Sequence, residues 1–269
     1  MTDAALDRVA ACADLLARAR LERIRLPALP REIKPQTEDE AYRVQFAVHE
    51  RLSAAGFGRR RGWKIGCTTA VMQSFLDIPS PCGGGMFDLG IHRGHARYAL
   101  SELHKPGVEC EIAVRLGRSL PPIKGGHDAA SVAPAVAAVM AAMEVVDERF
   151  ADFRAPEVDA YTLIAEDFFH VGAVLGPEVE DWRAIDLGAL AGHTWIAGEP
   201  RGSGRGADVM GHPLAALAWL ANRLGEFDIA LREGDIVLTG SVVATQYPDG
   251  PAEAVTEIEG LGRVICAFV

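Results

Sequence analysis

The sequence contains few of the features that mark secreted, membrane-spanning or metal-thiolate proteins. Five cysteines are scattered over 269 residues, and no two of them form a CxxC pair. We therefore expect neither a disulfide framework nor a zinc site, and the reducing cytoplasm is the expected location. The first 26 residues carry Asp3 and Asp7 without a continuous apolar stretch, so no signal peptide is expected. No apolar run approaches the roughly 18 residues that cross a bilayer.

Positive charge is also scarce. The 27 lysines and arginines face 37 aspartates and glutamates, which gives a net charge of -10, and no basic stripe is present. Neither nucleic acid nor a membrane surface is therefore an expected partner. The sequence has no HExxH or GxSxG motif, and we interpret His170 and His193 as structural. The glycine-rich segment 202–206 lacks the GK[ST] ending of a phosphate loop.

Two helices are predicted before residue 58. Residues 3–22 are rich in Ala, Leu and Arg, and a second helix starts at Thr37, where Glu40 has the spacing of a capping box. Gly56 is the expected end of this helix. Further helices are predicted at 131–140, capped by Ser131, and at 213–224.

Short β-type runs dominate the rest of the chain. We predict strands at 62–68, 108–116, 194–197, 235–238 and 263–269. The predicted class is α+β, with a helical N-terminal segment over 1–57 and a β-rich catalytic domain over 58–269.

The strand predicted at 108–116 carries two glutamates on one face. Because side chains alternate along a strand, Glu109 and Glu111 point the same way, with Cα atoms about 6.6 Å apart. Two carboxylates this close raise each other's pKa unless a cation lies between them, and oxygen ligands suit Mg²⁺ or Mn²⁺. The alternative is an exposed edge strand on which both glutamates are merely solvated.

A third carboxylate, Glu144, stands in the apolar stretch 139–146. A buried charge is costly unless it is paired or bound to metal, so Glu144 is the third candidate ligand. The alternative is that the run has reached the surface, since Asp147 and Glu148 follow. Three carboxylates would leave about three octahedral positions open, two of which a 2-oxo acid can fill.

One lysine is a candidate proton carrier. Lys64 lies between Gly62 and Gly66 in an apolar strand, where burial lowers the pKa of a lysine. The alternative is a packed stem with its amine in water. At 234–241 a turn and a buried strand end in small polar residues, which often bind carboxylates, although ordinary turn chemistry explains them as well.

Taken together, these motifs resemble the 2-keto-4-pentenoate hydratase and 4-oxalocrotonate decarboxylase family of the fumarylacetoacetate hydrolase superfamily. The resemblance begins near Thr37 and runs to the C-terminus. The segments that carry it are 37–42, 62–69, 108–113, 143–147, 211–214 and 234–241. It implies a fumarylacetoacetase-like mixed β-roll and a homo-oligomeric enzyme of meta-cleavage aromatic breakdown.

The resemblance also implies roles for individual residues. Lys64 is expected to transfer protons. The expected metal ligands are Glu109, Glu111 and Glu144, and the expected substrate-binding residues are Thr69, Gln73, Glu166 and Ser241.

Two departures from the hydratase pattern bear on the reaction. Cys82, in the segment 81–84, stands where hydratases commonly carry an aspartate, and Phe168 and Phe169 replace small residues. Both changes weaken the case for simple water addition and leave decarboxylation or tautomerisation open. The hydrolase branch is disfavoured, because its Lys-x-x-Asp segment leading to Pro-Leu-Gly-Pro is absent.

The functional hypothesis is a metal-dependent hydratase or decarboxylase acting on a 2-oxo or 2-hydroxydienoic acid, with Mg²⁺ or Mn²⁺ as cofactor. The alternative is a non-catalytic, degenerate partner subunit of an active relative. The charged cluster around Lys64 favours the enzyme, since a scaffold has no need of it.

Overall fold

The computed structural model describes residues 2–269, which contain six α-helices. They span Asp3–Glu22 (α1), Glu38–Leu52 (α2), Ala70–Leu76 (α3), Ala129–Val132 (α4), Ala160–Ala165 (α5) and Pro213–Gly225 (α6). A π-helical turn, Ser53–Phe57, follows α2 and contains Gly56 at φ 98°, so the predicted helix end is confirmed.

Within residues 2–269, twelve strands form two sheets. They span Arg60–Gly66 (β1), Cys82–Phe87 (β2), Ile91–Arg93 (β3), His95–Tyr98 (β4), Pro106–Leu116 (β5), Val136–Asp147 (β6), His170–Leu175 (β7), Ala191–Ile196 (β8), Glu199–Arg205 (β9), Ile236–Ser241 (β10), Ala252–Ile258 (β11) and Gly262–Phe268 (β12). The larger sheet has the order β2-β1-β10-β5-β6-β7-β3, and the smaller has the order β4-β12-β11-β8-β9. Three strand pairs are parallel and the rest are antiparallel, which makes this a mixed α+β fold, as predicted.

The helix predicted at 131–140 is wrong. Only the four-residue α4, capped by Asp128 with Ser131 at its third position, and a 3-10 turn at Ala133–Ala135 form there before the chain enters β6. Ala and Met favour helices, but β6 lies between β5 and β7 in the larger sheet, so tertiary packing overrides the local preference. A strand buried on both faces shows no alternation that could have distinguished it from a buried helix.

The start of α2 agrees with the prediction in part. The Thr37 hydroxyl accepts the Glu40 amide at 3.2 Å, as an N-cap does. The Glu40 carboxylate, however, accepts the amide of Gln36 at 2.9 Å and pairs with Arg8. The reciprocal half of the capping box therefore shifts by one residue and ties α2 to α1.

Three apolar clusters join the layers. The first lies between the two sheets, the second packs α6 on the larger sheet, and the third packs α1 and α2 against α5 and β2. Representative buried members are Val108, Met143 and Cys266 in the first, Trp63, Leu217 and Val237 in the second, and Leu16, Tyr42 and Leu163 in the third. Helices α1 and α2 share this third core with later elements, so packing alone does not separate residues 1–57 from the rest of the chain. The domain boundary predicted between residues 57 and 58 therefore stays a prediction.

Residues 2–269 contain no helix with both the length and the apolar character that a membrane crossing requires.

Gly62 holds the closest backbone approach between β1 and β10. A Cβ atom at this position would lie 1.9 Å from the carbonyl oxygen of Ile236. We expect Gly62→Ala to lower the free energy of unfolding by at least about 2 kcal/mol, because a backbone atom cannot rotate away. Gly250→Ala is the control, since no atom lies within 4 Å of its Cβ position. Chemical denaturation measures both, and equal stability of the two variants would contradict the packing argument.

Candidate functional site

Three buried or half-buried carboxylates converge in the centre of the larger sheet. Glu109 and Glu111 lie on β5, and Glu144 lies directly opposite Glu109 on β6. Each residue offers an oxygen, and these oxygens all lie within 4.8 Å of one another. The three predicted metal ligands are therefore brought together, and Glu144 has not reached the surface, since it is fully buried.

Each carboxylate is held by one of its two oxygens. The holding contacts are the Thr245 hydroxyl on Glu109 Oε1 at 2.5 Å, the Gly240 amide on Glu111 Oε2 at 2.7 Å, and His170 Nδ1 on Glu144 Oε1 at 2.9 Å. The second oxygens of Glu111 and Glu144 are buried and have no hydrogen-bond partner among residues 2–269. A buried oxygen without a partner costs about 1–3 kcal/mol, and more when it is charged. A divalent cation among these oxygens would remove that cost, so the donor set fits Mg²⁺ or Mn²⁺.

Burial and mutual repulsion control the protonation of the cluster. Burial, aided by the charge of Glu144, raises the pKa of Glu109 to about 6 and raises the pKa of Glu111 well above its usual range. Burial acts in the same direction on Glu144, but the charge of Lys64 and the hydrogen bond from His170 outweigh it and lower the pKa of Glu144. A bound divalent cation would favour the ionised form of all three.

Lys64 lies at the edge of this cluster with its side chain buried. Its Nζ is 3.3 Å from Glu144 Oε1 and donates to the carbonyl oxygen of Phe168 at 3.2 Å. The sequence predicted a lowered pKa, and this is wrong. Burial does lower the pKa of Lys64, but the surrounding carboxylates, led by Glu144, outweigh it and raise the pKa. A cation between the carboxylates would cancel much of their charge and oppose that rise.

Three further residues predicted to bind substrate, Thr69, Gln73 and Ser241, form hydrogen bonds within the chain itself. Thr69 caps α3, where its hydroxyl accepts the Met72 amide at 3.3 Å. Gln73 donates its side-chain amide to the carbonyl of Cys67 at 2.9 Å. Ser241 lies opposite Glu111 in the β10–β5 pairing, and its hydroxyl donates to the carbonyl of Val243.

The resemblance implied that Glu166 binds substrate, but its surroundings in the structure do not favour that role. Its carboxylate is buried, pairs with Arg149 at 2.5 Å and accepts the amide of Phe169 at 2.6 Å. Both oxygens are therefore occupied by groups of the chain itself. This arrangement supports a structural role for Glu166 in the turn that follows α5.

Sequence reasoning missed three groups that contact the carboxylates, namely Thr245, Gly240 and His170. His170 was interpreted as structural, yet its ring holds Glu144. Thr245 and Gly240 lie 136 and 129 residues from the glutamates they contact. The segment ending in small polar residues near 240 was the signal for Gly240, but nothing local pointed to Thr245.

Comparisons with known proteins place the chain in one family. The model of the fumarylacetoacetate (FAA) hydrolase C-terminal family matches residues 76–269. A 2-keto-4-pentenoate hydratase from Paraburkholderia phymatum is 35% identical over 228 residues, which cover 85% of each chain. A 4-oxalocrotonate decarboxylase from Pseudomonas putida is 27% identical over 98% of this chain and 97% of its own.

Solved structures show the same fold. The 4-oxalocrotonate decarboxylase from Pseudomonas putida G7, complexed with magnesium and adipate, aligns with a TM-score of 0.91 and 25% identity over 100% of this chain and 99% of its own. A fumarylpyruvate hydrolase from Pseudomonas aeruginosa, in complex with Mn²⁺ and pyruvate, aligns with a TM-score of 0.61 and 15% identity over 79% and 90%. The predicted fumarylacetoacetase-like fold is confirmed.

Proposed function

The chain belongs to the fumarylacetoacetate hydrolase family, and from that premise we propose that it is a divalent-metal-dependent lyase of 2-oxo or 2-hydroxydienoic acids. The relatives reported above are named as hydratases and decarboxylases, so the substrate belongs to meta-cleavage breakdown of aromatic compounds. One observation carries the proposal. Each of three clustered carboxylates is fixed through one oxygen, and two of their remaining oxygens are buried without a partner.

Glu109, Glu111 and Glu144 would hold the cation. Magnesium, calcium and Mn²⁺ occur in the solved structures with this fold, and a site of oxygen ligands accepts Mg²⁺ and Mn²⁺ alike. When bound, the cation supplies Lewis acidity that stabilises negative charge on the oxygen of a 2-oxo group. Thr245, Gly240 and His170 each contact one of the carboxylates and would fix them before the cation binds.

Lys64 would carry the proton that the reaction moves. Lys64 as a whole is only 2% exposed, so bulk water does not compete with substrate for the N–H groups of its Nζ. Glu144 and the Phe168 carbonyl occupy two of those groups. The third N–H of Lys64 Nζ is free for the substrate, and proton transfer by one such placed group is typically worth about 10²–10⁴-fold in rate.

Thr69, Gln73 and Ser241 are proposed to bind the acid end of the substrate. The Thr69 hydroxyl acts as an acceptor in α3, so its own proton remains available to a carboxylate. The Gln73 amide uses one of its two N–H donors on Cys67 and keeps the other. Ser241 must rotate its hydroxyl away from the carbonyls of Cys110 and Val243 before it can donate.

Decarboxylation is favoured over hydration. Cys82, which stands in place of an acid, is buried with a thiol whose pKa burial raises well above its usual range. The nearby acids Glu166 and Asp167 are both held in ion pairs with arginine. Neither Glu166 nor Asp167 is therefore free to orient an attacking water, as hydration would require. Loss of CO₂ requires only stabilisation of the developing charge and is helped by a dry site.

We expect weak or absent hydration of 2-hydroxypenta-2,4-dienoate and measurable decarboxylation of an oxalocrotonate-type diacid. Both substrates are assayed side by side with Mg²⁺ and then Mn²⁺, following the ultraviolet absorbance of the conjugated acid. Replacing Cys82 with aspartate serves as the comparison, since it restores an acid at this position. Rapid hydration of the small dienoate by the unaltered enzyme would refute the argument from Cys82.

The non-catalytic alternative finds no support in these relatives, which are named as enzymes. We also propose that the protein works in the cytoplasm as a homo-oligomer. Its five cysteines are all unpaired, which suits a reducing compartment.

A further inference from the structure

Three consecutive residues after α5 adopt a left-handed backbone. Asp167, Phe168 and Phe169 have φ angles of 65°, 47° and 66°. A Cβ atom makes this conformation unfavourable, and bulky aromatic residues rarely adopt it in succession. Such strain persists only where the surroundings enforce it, and it is often found at functional sites. The segment 167–169 is called the left-handed turn below.

The carboxylate of Asp167 anchors this turn. It is fully buried and receives three hydrogen bonds, from Arg20 Nη1 at 2.6 Å, His49 Nε2 at 2.7 Å and the Gly85 amide at 2.9 Å. A Cβ atom on Gly85 would lie 2.4 Å from the His49 ring, so glycine makes the room that the ring occupies. Helices α1 and α2 and strand β2 therefore all converge on one side chain of the turn.

The other side of the turn contacts the site itself. The carbonyl oxygen of Phe168 accepts Lys64 Nζ at 3.2 Å, and the Phe168 ring centroid lies 5.7 Å from the same nitrogen. Immediately after the turn, His170 contacts Glu144. The strained backbone thus contacts the proposed proton carrier directly and leads into the residue that holds one proposed metal ligand.

We propose that Asp167 is a positioning residue for Lys64, anchored by His49 and Arg20. The proposal rests on the function proposed for Lys64. The direction of a carbonyl is fixed by the backbone angles on either side of it, so the left-handed turn aims the Phe168 oxygen at Nζ. If the anchor weakens, the turn relaxes and the amine loses one of its fixed contacts. A misplacement of about 1 Å at a reacting group can cost about 10²-fold in rate.

Asp167→Asn tests the proposal. Asparagine keeps the size of the side chain but loses its charge. Its NH₂ group replaces one carboxylate oxygen and accepts no hydrogen bond, so it faces either Arg20 or the pair His49 and Gly85 as one donor against another. We expect kcat to fall about 10–100-fold, while KM and the Kd for Mn²⁺ stay within about threefold. In a crystal structure of the variant, Lys64 Nζ should lie beyond hydrogen-bond distance of the Phe168 oxygen. An unchanged kcat, or a loss that appears in KM alone, would refute the positioning role.

A matched control separates positioning from general stability. Glu40→Gln breaks a similar set of contacts, an arginine pair with Arg8 and a backbone amide from Gln36, neither of which includes Lys64 or a proposed metal ligand. It should lower the melting temperature and leave kcat unchanged. A comparable loss of kcat in Glu40→Gln would show that weakened packing alone explains the effect of Asp167→Asn.

His49 supplies a second test that does not require Asp167→Asn to fold. His49→Gln places an amide N–H near the position of ring Nε2, so it should keep most of kcat, whereas His49→Ala should lose about as much as Asp167→Asn. Equal kcat values for the two His49 variants would refute the anchor. Retained activity in Lys64→Ala would refute the function of Lys64 itself. If Lys64→Ala loses activity while Asp167→Asn keeps its full kcat, only the positioning role of Asp167 is refuted.

Discussion

Lys64→Ala is expected to lower kcat by about 10²–10⁴-fold, the range that a well-placed general acid or base supplies. The residue is buried, and its Nζ lies 3.3 Å from Glu144, one of the proposed metal ligands. Metal binding should survive or tighten, because the substitution removes a positive charge from beside the carboxylates. Steady-state kinetics on the substrate that proves active, together with Mn²⁺ titration of the same preparation, measure both effects.

Lys124→Ala is the control for this prediction. Lys124 is exposed, so the same substitution removes one positive charge without touching the site. Its kcat should match that of the unaltered protein. If Lys64→Ala retains more than a tenth of kcat while it binds metal normally, the proton is carried by another group.

Removal of the divalent metal is expected to destabilise the protein. Without a cation the three glutamates repel one another and two of their oxygens stay unpaired, as their burial indicates. Metal at 100 times its Kd adds about 2.7 kcal/mol to the free energy of unfolding. For a chain of this size that raises the melting temperature by about 5–10 °C. Thermal melts in excess chelator, and then with Mg²⁺ or Mn²⁺ restored, measure the shift.

Two glutamine substitutions sharpen the metal experiment. Glu111→Gln should abolish most of the metal-dependent shift. Its metal-free form should melt above the metal-free native protein, because glutamine avoids the cost of burying or protonating an acid whose pKa is raised on folding. Glu253→Gln, on the exposed face of β11, should keep the full shift. An unchanged melting curve of the native protein in chelator, with metal loss confirmed by elemental analysis, would contradict the role of the cluster.

The candidate ligands were predictable where a local pattern fixes geometry. Alternation along the strand that became β5 places Glu109 and Glu111 on one face, whatever the strand packs against. Glu144 was selected by the cost of burying a charge, an argument that holds in either secondary structure. The cost of burying a charge does not distinguish a helix from a strand. It therefore gave no warning that the helix predicted at 131–140 was wrong.

The supporting groups were not predictable, because they come together only through the fold. Asp167 meets Arg20 across 147 residues of sequence and His49 across 118. No period or spacing relates such positions. The pKa of Lys64 was predicted in the wrong direction for a similar reason. Burial could be inferred locally, whereas the charge of the surrounding carboxylates depends on tertiary contacts.

Anomalous diffraction from crystals soaked in Mn²⁺ would locate the metal, since Mn²⁺ scatters anomalously and takes oxygen ligands much as Mg²⁺ does. We expect a single strong peak, with one oxygen each of Glu109, Glu111 and Glu144 at about 2.1–2.2 Å from it. The predicted ligand atoms include the two oxygens that now have no partner, Glu111 Oε1 and Glu144 Oε2. A fully soaked crystal with no peak among these three carboxylates, or with its peak elsewhere, would contradict the account.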